Sequence, residues 1–559
     1  MPLTRWLSLF ALVLISVSGF AQNLPERVLL VPIDDRPATT QFAQMIGEMA
    51  GVEIVLPPKS ILGKFKQPGW PEEIIAWMGR EDISQYEAVI ISADMLAYGG
   101  LIASRTDRSS YRLAIKRLRL FWKLRKTAPH TKFYAFSAVM RLAPTATNET
   151  TDWMLDMARY SVETEKYRTS KTSARRRTLA NLRRRIPRGE IARYEKVRAR
   201  NHKVQEELVR MTAFGVFDYL IFGQDDAQAQ GPHVRETKRL KQMSRNLKIE
   251  HRVYFAEGID QHSNILVSRA LLQHSGWSPR VRIVFADDDA TGRIAAYESE
   301  SIVASLRGQL VVSGATPVEA SDPFDYSLYV NTPDSDDLRL QVFLDSLKSE
   351  MDQGFPVAVA DINLGKTGTG DPALFNVVTE EGRATRLLAY AGWNTAGNTM
   401  GTAIPAANVY LLARKEQVDP LIREVGMRKF VLHRLVNDFE YHNFVRPEAY
   451  RMVKEMPGAT KAEAYGDDFD KLNEYVSAGM RERLLEQFSQ QLLGTRFFVG
   501  SRQFEIVGLK DVNVYLPWPR AYEVRLEFDV ETREIVPDPS GGSGGGSVQT
   551  SRHKVTCSA

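Results

Sequence analysis

Eleven short apolar runs, separated by longer helical stretches, constrain this chain more than any other feature. RVLLVPID, VEIVLPP, AVIISAD, KFYAFSAV, DYLIFGQDD and RVYFAEGID come first; RIVFADDD, QLVVSG, YSLYVNTP, VAVADIN and LLAYAGWNT follow Pro279. Nearly continuous apolarity, as opposed to strict alternation, marks strands covered on both faces. Amphipathic helices lie between them, for example over Tyr111–Ala128 and Leu338–Asp352. Strand–helix–strand repetition predicts an α/β fold with parallel sheets. Eleven strands exceed one eight-stranded barrel, and a chain of 559 residues is expected to form two or three domains. The division expected is two doubly wound lobes, 25–277 and 278–416, joined at Gly276–Arg280. A (β/α)8-like barrel with additions is the alternative. In both lobes the first strand ends in Asp and the second near proline. Residues 417–538 read as a helical segment plus a small β element capping the second lobe.

The first 21 residues read as a signal peptide. Arg5 is the charged start, WLSLFALVLISVSGF the apolar core, and Gly19-Phe20-Ala21 the cleavage region. An uncleaved anchor is the alternative. No other segment is long and apolar enough to span a bilayer, so the expectation is a periplasmic or secreted protein without stable membrane insertion. The single cysteine, Cys557, excludes an internal disulfide and Cys-based zinc sites. Residues 539–559 read as a disordered Gly/Ser linker and polar tail. The chain carries a net charge of +5, and Lys166–Arg210 alone exceeds it. Glutamates are interspersed there, so 150–212 is expected to be a solvated helical insertion and not a nucleic-acid site.

The strands end in polar residues again and again: Asp34-Asp35-Arg36, Asp94, Arg141, Gln224-Asp225-Asp226, Asp260, Asp287-Asp288-Asp289, Asn331, Asp361 and Trp393-Asn394. In parallel α/β folds ligands bind at the carboxyl ends of strands. Carboxylates are costly to bury unpaired, so gathering them at one edge makes sense if that edge holds something polar. The competing reading is that each Asp caps the following helix. MLAYGGLIASR places Tyr98, Gly99-Gly100 and Arg105 after Asp94, and paired glycines allow a close backbone approach. GWNTAGNTMGT places Trp393, Asn394 and Asn398 among small residues, an aromatic platform with amides suited to sugar rings. GKTGTGD is not a P-loop, because its first glycine would fall at Ala360. The nine histidines are scattered, with His262, His433 and His442 read as packing or surface residues. No serine-nucleophile elbow is present.

With these motifs the chain resembles a bacterial family known as a domain of unknown function. That family has V-P-(apolar)-D-x-R-P, D-M-L-x-Y-G-G-L-x-x-S-R, Q-D-D and W-N-T-x-G-N-T-x-G-T segments. Here they are Val31–Pro37, Asp94–Arg105, Gln224–Asp226 and Trp393–Thr402, and the likeness runs to LPWPRAYEV. Gly258-Ile259-Asp260-Gln261 departs from a family Gly-Ala-Asp-Glu, so a role for an acid at 261 is not carried over. The resemblance implies no reaction.

The reading expected from the residues is an exported carbohydrate-active hydrolase, a glycoside hydrolase using Asp34, Asp94, Asp225 and Asp226 as the catalytic carboxylates. Arg36, Tyr98, Arg105, Arg141, Gln224, Asp260, Asp361, Trp393, Asn394 and Asn398 would bind a small-molecule or oligosaccharide substrate. No cofactor is required by this chemistry, with Mg²⁺ or Ca²⁺ at the carboxylates left open. The alternatives are a two-lobed periplasmic binding protein for a polar ligand and a divalent-metal ester or amide hydrolase.

Overall fold

The computed structural model describes residues 24–147, 149–225, 227–365, 368–456 and 463–536. The signal peptide, Asp226 and the tail 539–559 lie outside the described residues. The first sheet is built from β1 (Arg27–Val31), β2 (Glu53–Val55), β3 (Ala88–Ser92), β4 (Lys132–Val139), β5 (Tyr219–Gln224) and β6 (Val253–Glu257). Its order is β2-β1-β3-β4-β5-β6, and every pairing is parallel. The second sheet contains β7 (Arg280–Phe285), β8 (Thr316–Val318), β9 (Tyr326–Asn331), β10 (Val357–Asp361) and β11 (Leu387–Ala391). Its order is β11-β10-β9-β7-β8, also parallel. Counted from its own first strand, the second sheet runs 2-1-3-4-5 and the first runs 2-1-3-4-5-6, so the rhyme between the halves is one of topology. Both sheets are open, and neither closes into a barrel. Each changes direction beside its first strand, between β1 and β3 and between β7 and β9, which is where doubly wound folds form a crevice.

One expected strand is a helix. QLVVSG lies in the last turns of the helix Ile302–Ser313, and the edge strand β8 begins just beyond it. Buried Ile302, Leu306, Leu310 and Ser313 recur every three to four residues; a short apolar run does not by itself tell a buried strand from a buried helix. The basic insertion also differs from expectation. The helix Ser173–Arg185 is solvated, with Leu182 its buried residue, but the helix Glu190–Ala213 is the crossover into β5. Its Arg198, Arg200, Asn201 and Gln205 are buried.

The pleat divides the first sheet's side chains between two cores. Leu29, Val31, Val89, Ile91, Phe133 and Ala135 face one core with the helices over Pro71–Met78 and Tyr111–Leu118. Val28, Leu30, Ile90, Tyr134 and Phe136 face the other. That second core is continuous with Tyr326, Leu328, Val357 and Val359 of the second sheet, through the helices His262–Ser275 and Ala396–Lys415. The two sheets therefore share one hydrophobic interior.

The helix Pro420–Arg434 runs into an eleven-residue π-helical segment, Leu435–Val445, and on into Arg446–Glu455. After the helix Asp467–Gln491 come β12 (Arg496–Val499), β13 (Arg502–Tyr515) and β14 (Arg525–Ile535), an antiparallel sheet. The strand β13 runs unbroken through Gly508, with register shifts along it. The loop 516–524 between β13 and β14 returns to the end of β1.

Candidate functional site

After β1 the chain turns through Asp34, Asp35 and Arg36 and enters the helix Gln41–Glu48. Arg36 is buried with both of its acidic partners. Its Nε donates to both oxygens of Asp34 at 3.0 Å, and Nη2 reaches Asp34 Oδ2 at 2.8 Å. Nη1 and Nη2 also donate to Asp260 Oδ2 and Oδ1, at 3.0 and 2.6 Å. Asp260 lies beyond β6, on the far edge of the sheet, so one guanidinium ties the sheet's first strand end to its last. Two carboxylates raise the Arg36 pKa well above normal against its burial, while burial pushes that of Asp260 up. Arg36 spends its donors inside the protein and does not present them to a ligand. It also occupies the oxygens of Asp34 and Asp260 that Mg²⁺ or Ca²⁺ would need. Among the described residues no group of three or more His, Cys, Asp or Glu is arranged to hold a metal ion.

Asp35 behaves differently from its neighbour. It is half-buried and accepts a 2.7 Å hydrogen bond from Trp518 Nε1 in the returning loop. Burial pushes its carboxyl up to about 6, against the pull of the Trp518 donor. The Trp518 ring lies 5.0 Å from the Arg36 guanidinium and 4.6 Å from that of Arg520. Arg520 is flanked in turn by Phe65 and Tyr522. The Tyr522 hydroxyl donates to Asn394 Oδ1. Asp35, Trp518, Arg520 and Tyr522 were not singled out as site residues from the sequence. The available signal was LPWPRAYEV, whose place in the fold is set by a partner 483 positions away.

Asp94 sits in the first turn of the helix Ala93–Tyr98, which Ser92 caps. Its Oδ2 accepts the Ala138 N–H at 2.8 Å, and burial raises it to about 6. Arg105 pairs with Asp225 at the end of β5, and the charge of Asp225 adds to the upward shifts of Asp94 and Asp260. Asp34, Asp94, Asp225 and Asp260 thus form one buried group at the carboxyl edge of the first sheet. Tyr98 lies in this layer as well, under the Arg200 guanidinium at 4.3 Å. The glycine pair serves backbone packing. Gly100 has φ +123°, and a Cβ there would sit 3.0 Å from the Ile33 carbonyl. Gly99 meets the Gly69 backbone in the same way. The Arg141 carbonyl is held by Tyr194 and Arg198. Gln224 Oε1 accepts from Thr237 at 3.4 Å.

The second sheet contributes in part. Asn398 Nδ2 donates to Gln261 Oε1 at 2.9 Å, next to Asp260, and Asn394 bonds Asn398. Trp393 is 8% exposed, donates to Thr402 and packs edge-on against Phe42. It is a core residue joining the lobes, and it offers no open platform to a sugar. Asp361, wholly buried and pushed up to about 7, belongs to a separate network with Asn331, Asn363 and Asp371. Asp287 caps the short helical turn that follows it and pairs with Arg339. His262 and His433 are buried packing residues, and burial lowers the pKa of both.

A further carboxyl pair escaped the sequence reading. Glu257, the last residue of β6, accepts from the backbone of Ser299 and Glu300, and Glu298 accepts the Gly397 N–H. Burial lifts Glu257 to about 7, and burial plus the Glu257 charge lifts Glu298 to about 8.

A family model described as a protein of unknown function (DUF4127) matches residues 28–527, and the chain belongs to that family. No curated protein and no solved structure matches it.

Proposed function

We propose that the chain is an exported carbohydrate-active hydrolase of the glycosidase type, with Asp35 as the proton-holding acid. One observation carries this reading. In a layer of buried strand-end carboxyls, Asp35 keeps partial contact with solvent, and its pKa lies near 6. A carboxyl of that pKa stays protonated up to about pH 6 and can release its proton to a leaving oxygen. Tyr522, with its ring exposed, and the Asn394 amide bonded to it lie beside the same turn, and an aromatic face with an amide suits hydroxyl-rich rings. Asp225, with Arg105 as its counter-charge, is assigned the base or nucleophile role.

The shared core counts against the hinged binding-protein alternative, because opening the lobes would expose apolar surface. The test is turnover of an aryl-glycoside panel, with and without EDTA. Asp35→Asn should lower turnover by roughly 10²-fold or more with folding intact. Full turnover in Asp35→Asn would refute the assignment of the acid. Loss of turnover in EDTA would favour the metal hydrolase. Ligand binding without turnover on any member would favour the binding protein.

A further inference from the structure

From Lys166 through Arg188 the chain carries ten basic residues and no acidic one. The structure folds this run back on the helix Met154–Thr169 as the helix Ser173–Arg185. The preceding helix neutralises some of the charge. Glu163 pairs with Lys166 and Arg175, Glu165 with Arg168, and Asp156 with Arg185. Among the described residues, no carboxylate lies within ion-pair distance of Lys171, Arg176, Arg177, Arg183, Arg184 or Arg188. Arg183 instead bonds the Tyr160 hydroxyl, and Arg184 bonds Asn181 of its own helix.

Between the two helices lies a groove of about 800 Å³. Arg159, Lys166, Arg184 and Arg185 line it against one acid, Glu163. Arg159 and Arg185 have side chains 68% and 56% exposed and share Asp156, at 4.0 and 2.6 Å, so Arg184 is the lining cation with no carboxylate partner among the described residues. Gln228 closes one side, three residues after Asp225 on the loop that follows β5. The groove is thereby joined to the carboxylate layer through three residues of chain. A flat anionic bilayer or a stiff nucleic-acid duplex would meet the outer face of the hairpin; a concave groove leading to a strand-end site fits a single flexible chain.

We infer that this groove docks an acidic polysaccharide, a chain bearing a carboxylate on most sugar units, and leads it toward the strand-end carboxylates. The inference rests on the carbohydrate reading above and names its substrate class. Clustered cations beside a low-dielectric wall raise the local concentration of a polyanion, and added salt screens the effect.

The test is titration of the full chain with alginate, a uronate polymer, and with neutral dextran of equal length, over a range of salt. Alginate should bind, dextran should not compete, and affinity should fall as salt rises. Replacing Arg159, Arg184 and Arg185 together by Gln should weaken alginate binding roughly tenfold or more, while the triple Lys replacement should retain it. Should the triple Gln variant fail to fold, Arg184→Gln alone, on an arginine bonded within its own helix, should still show a measurable loss. Absent alginate binding, binding undiminished by the Gln variants, or tighter binding of anionic vesicles or duplex DNA would overturn the inference. Asp35→Asn separates the two claims. Alginate binding retained in that variant upholds the groove whatever its turnover, and binding lost in it would place the polymer at the strand ends and refute the groove.

Discussion

Replacing Arg36 by Met keeps an unbranched apolar stem and removes the cation from between Asp34 and Asp260. Five N–H contacts are lost, three to Asp34 and two to Asp260, along with the stacking on Trp518. Both carboxyls are buried, so neither regains water readily. Removing one partner of a buried ion pair costs about 3–5 kcal/mol, and here a single deletion strands two acids. The loss should fall in that range at pH 7, read as a lower urea midpoint with an unchanged slope. Its pH dependence is the sharper test. Without Arg36 the Asp260 carboxyl, already pushed up by burial, should have a folded pKa still further above the unfolded value near 4. Such groups favour folding in their protonated form, so the variant's deficit should be largest at pH 7 and shrink as pH falls toward about 4. Adding Asp34→Asn and Asp260→Asn should recover much of the loss, since neutral amides need no counter-charge. A deficit under about 1 kcal/mol at pH 7, or one equal at pH 4 and pH 7, would refute this account of the triad.

Three other outcomes follow from the geometry. Trp518→Phe deletes the donor that favours ionised Asp35, so the pKa should rise further; turnover that falls as pH rises through about 6 in the unaltered chain should persist to higher pH in the variant. Glu298→Gln removes a carboxyl that burial and Glu257 hold at about 8. The variant should be more stable than the parent at pH 8, on the order of 4 kcal/mol, with the gap closing below about pH 4 where the acid is protonated in both states, as thermal melts across pH will show. Gly100→Ala forces a side chain into φ +123° against the Ile33 carbonyl and should cost about 1–3 kcal/mol in urea unfolding.

Much of the architecture was legible because parallel strands buried on both faces must be written as continuous apolar runs. The runs around Leu30, Ile90, Phe136 and Tyr329 are strands for that reason. Gln309–Gly314 misled because a buried helix writes the same six letters. The carboxylate layer was legible as a set of strand ends, and the structure brings Asp34, Asp94, Asp225 and Asp260 to one edge. The role of each member was not, because it depends on which cation reaches it. Arg36 turns back on Asp34, two residues away, and on Asp260, 224 away. Trp393 looked like a ligand platform because an aromatic beside amides reads alike in a cleft or in a core. Its burial against Phe42 comes from packing between the sheets, which no local pattern encodes.

The bond from Trp518 to Asp35 spans 483 positions of sequence. It also bears on how such a chain is made. A ribosome emits Asp35 483 residues before Trp518, so the acid turn stays incomplete over that whole stretch of translation. Chains cut short before the loop 516–524 would lack the indole that closes over Asp35, and would lack β14 as well. The turn thereby reports how far synthesis has run: in products truncated before Trp518 the acid would lack its indole, and any chemistry the turn performs would be withheld until synthesis had passed the loop 516–524.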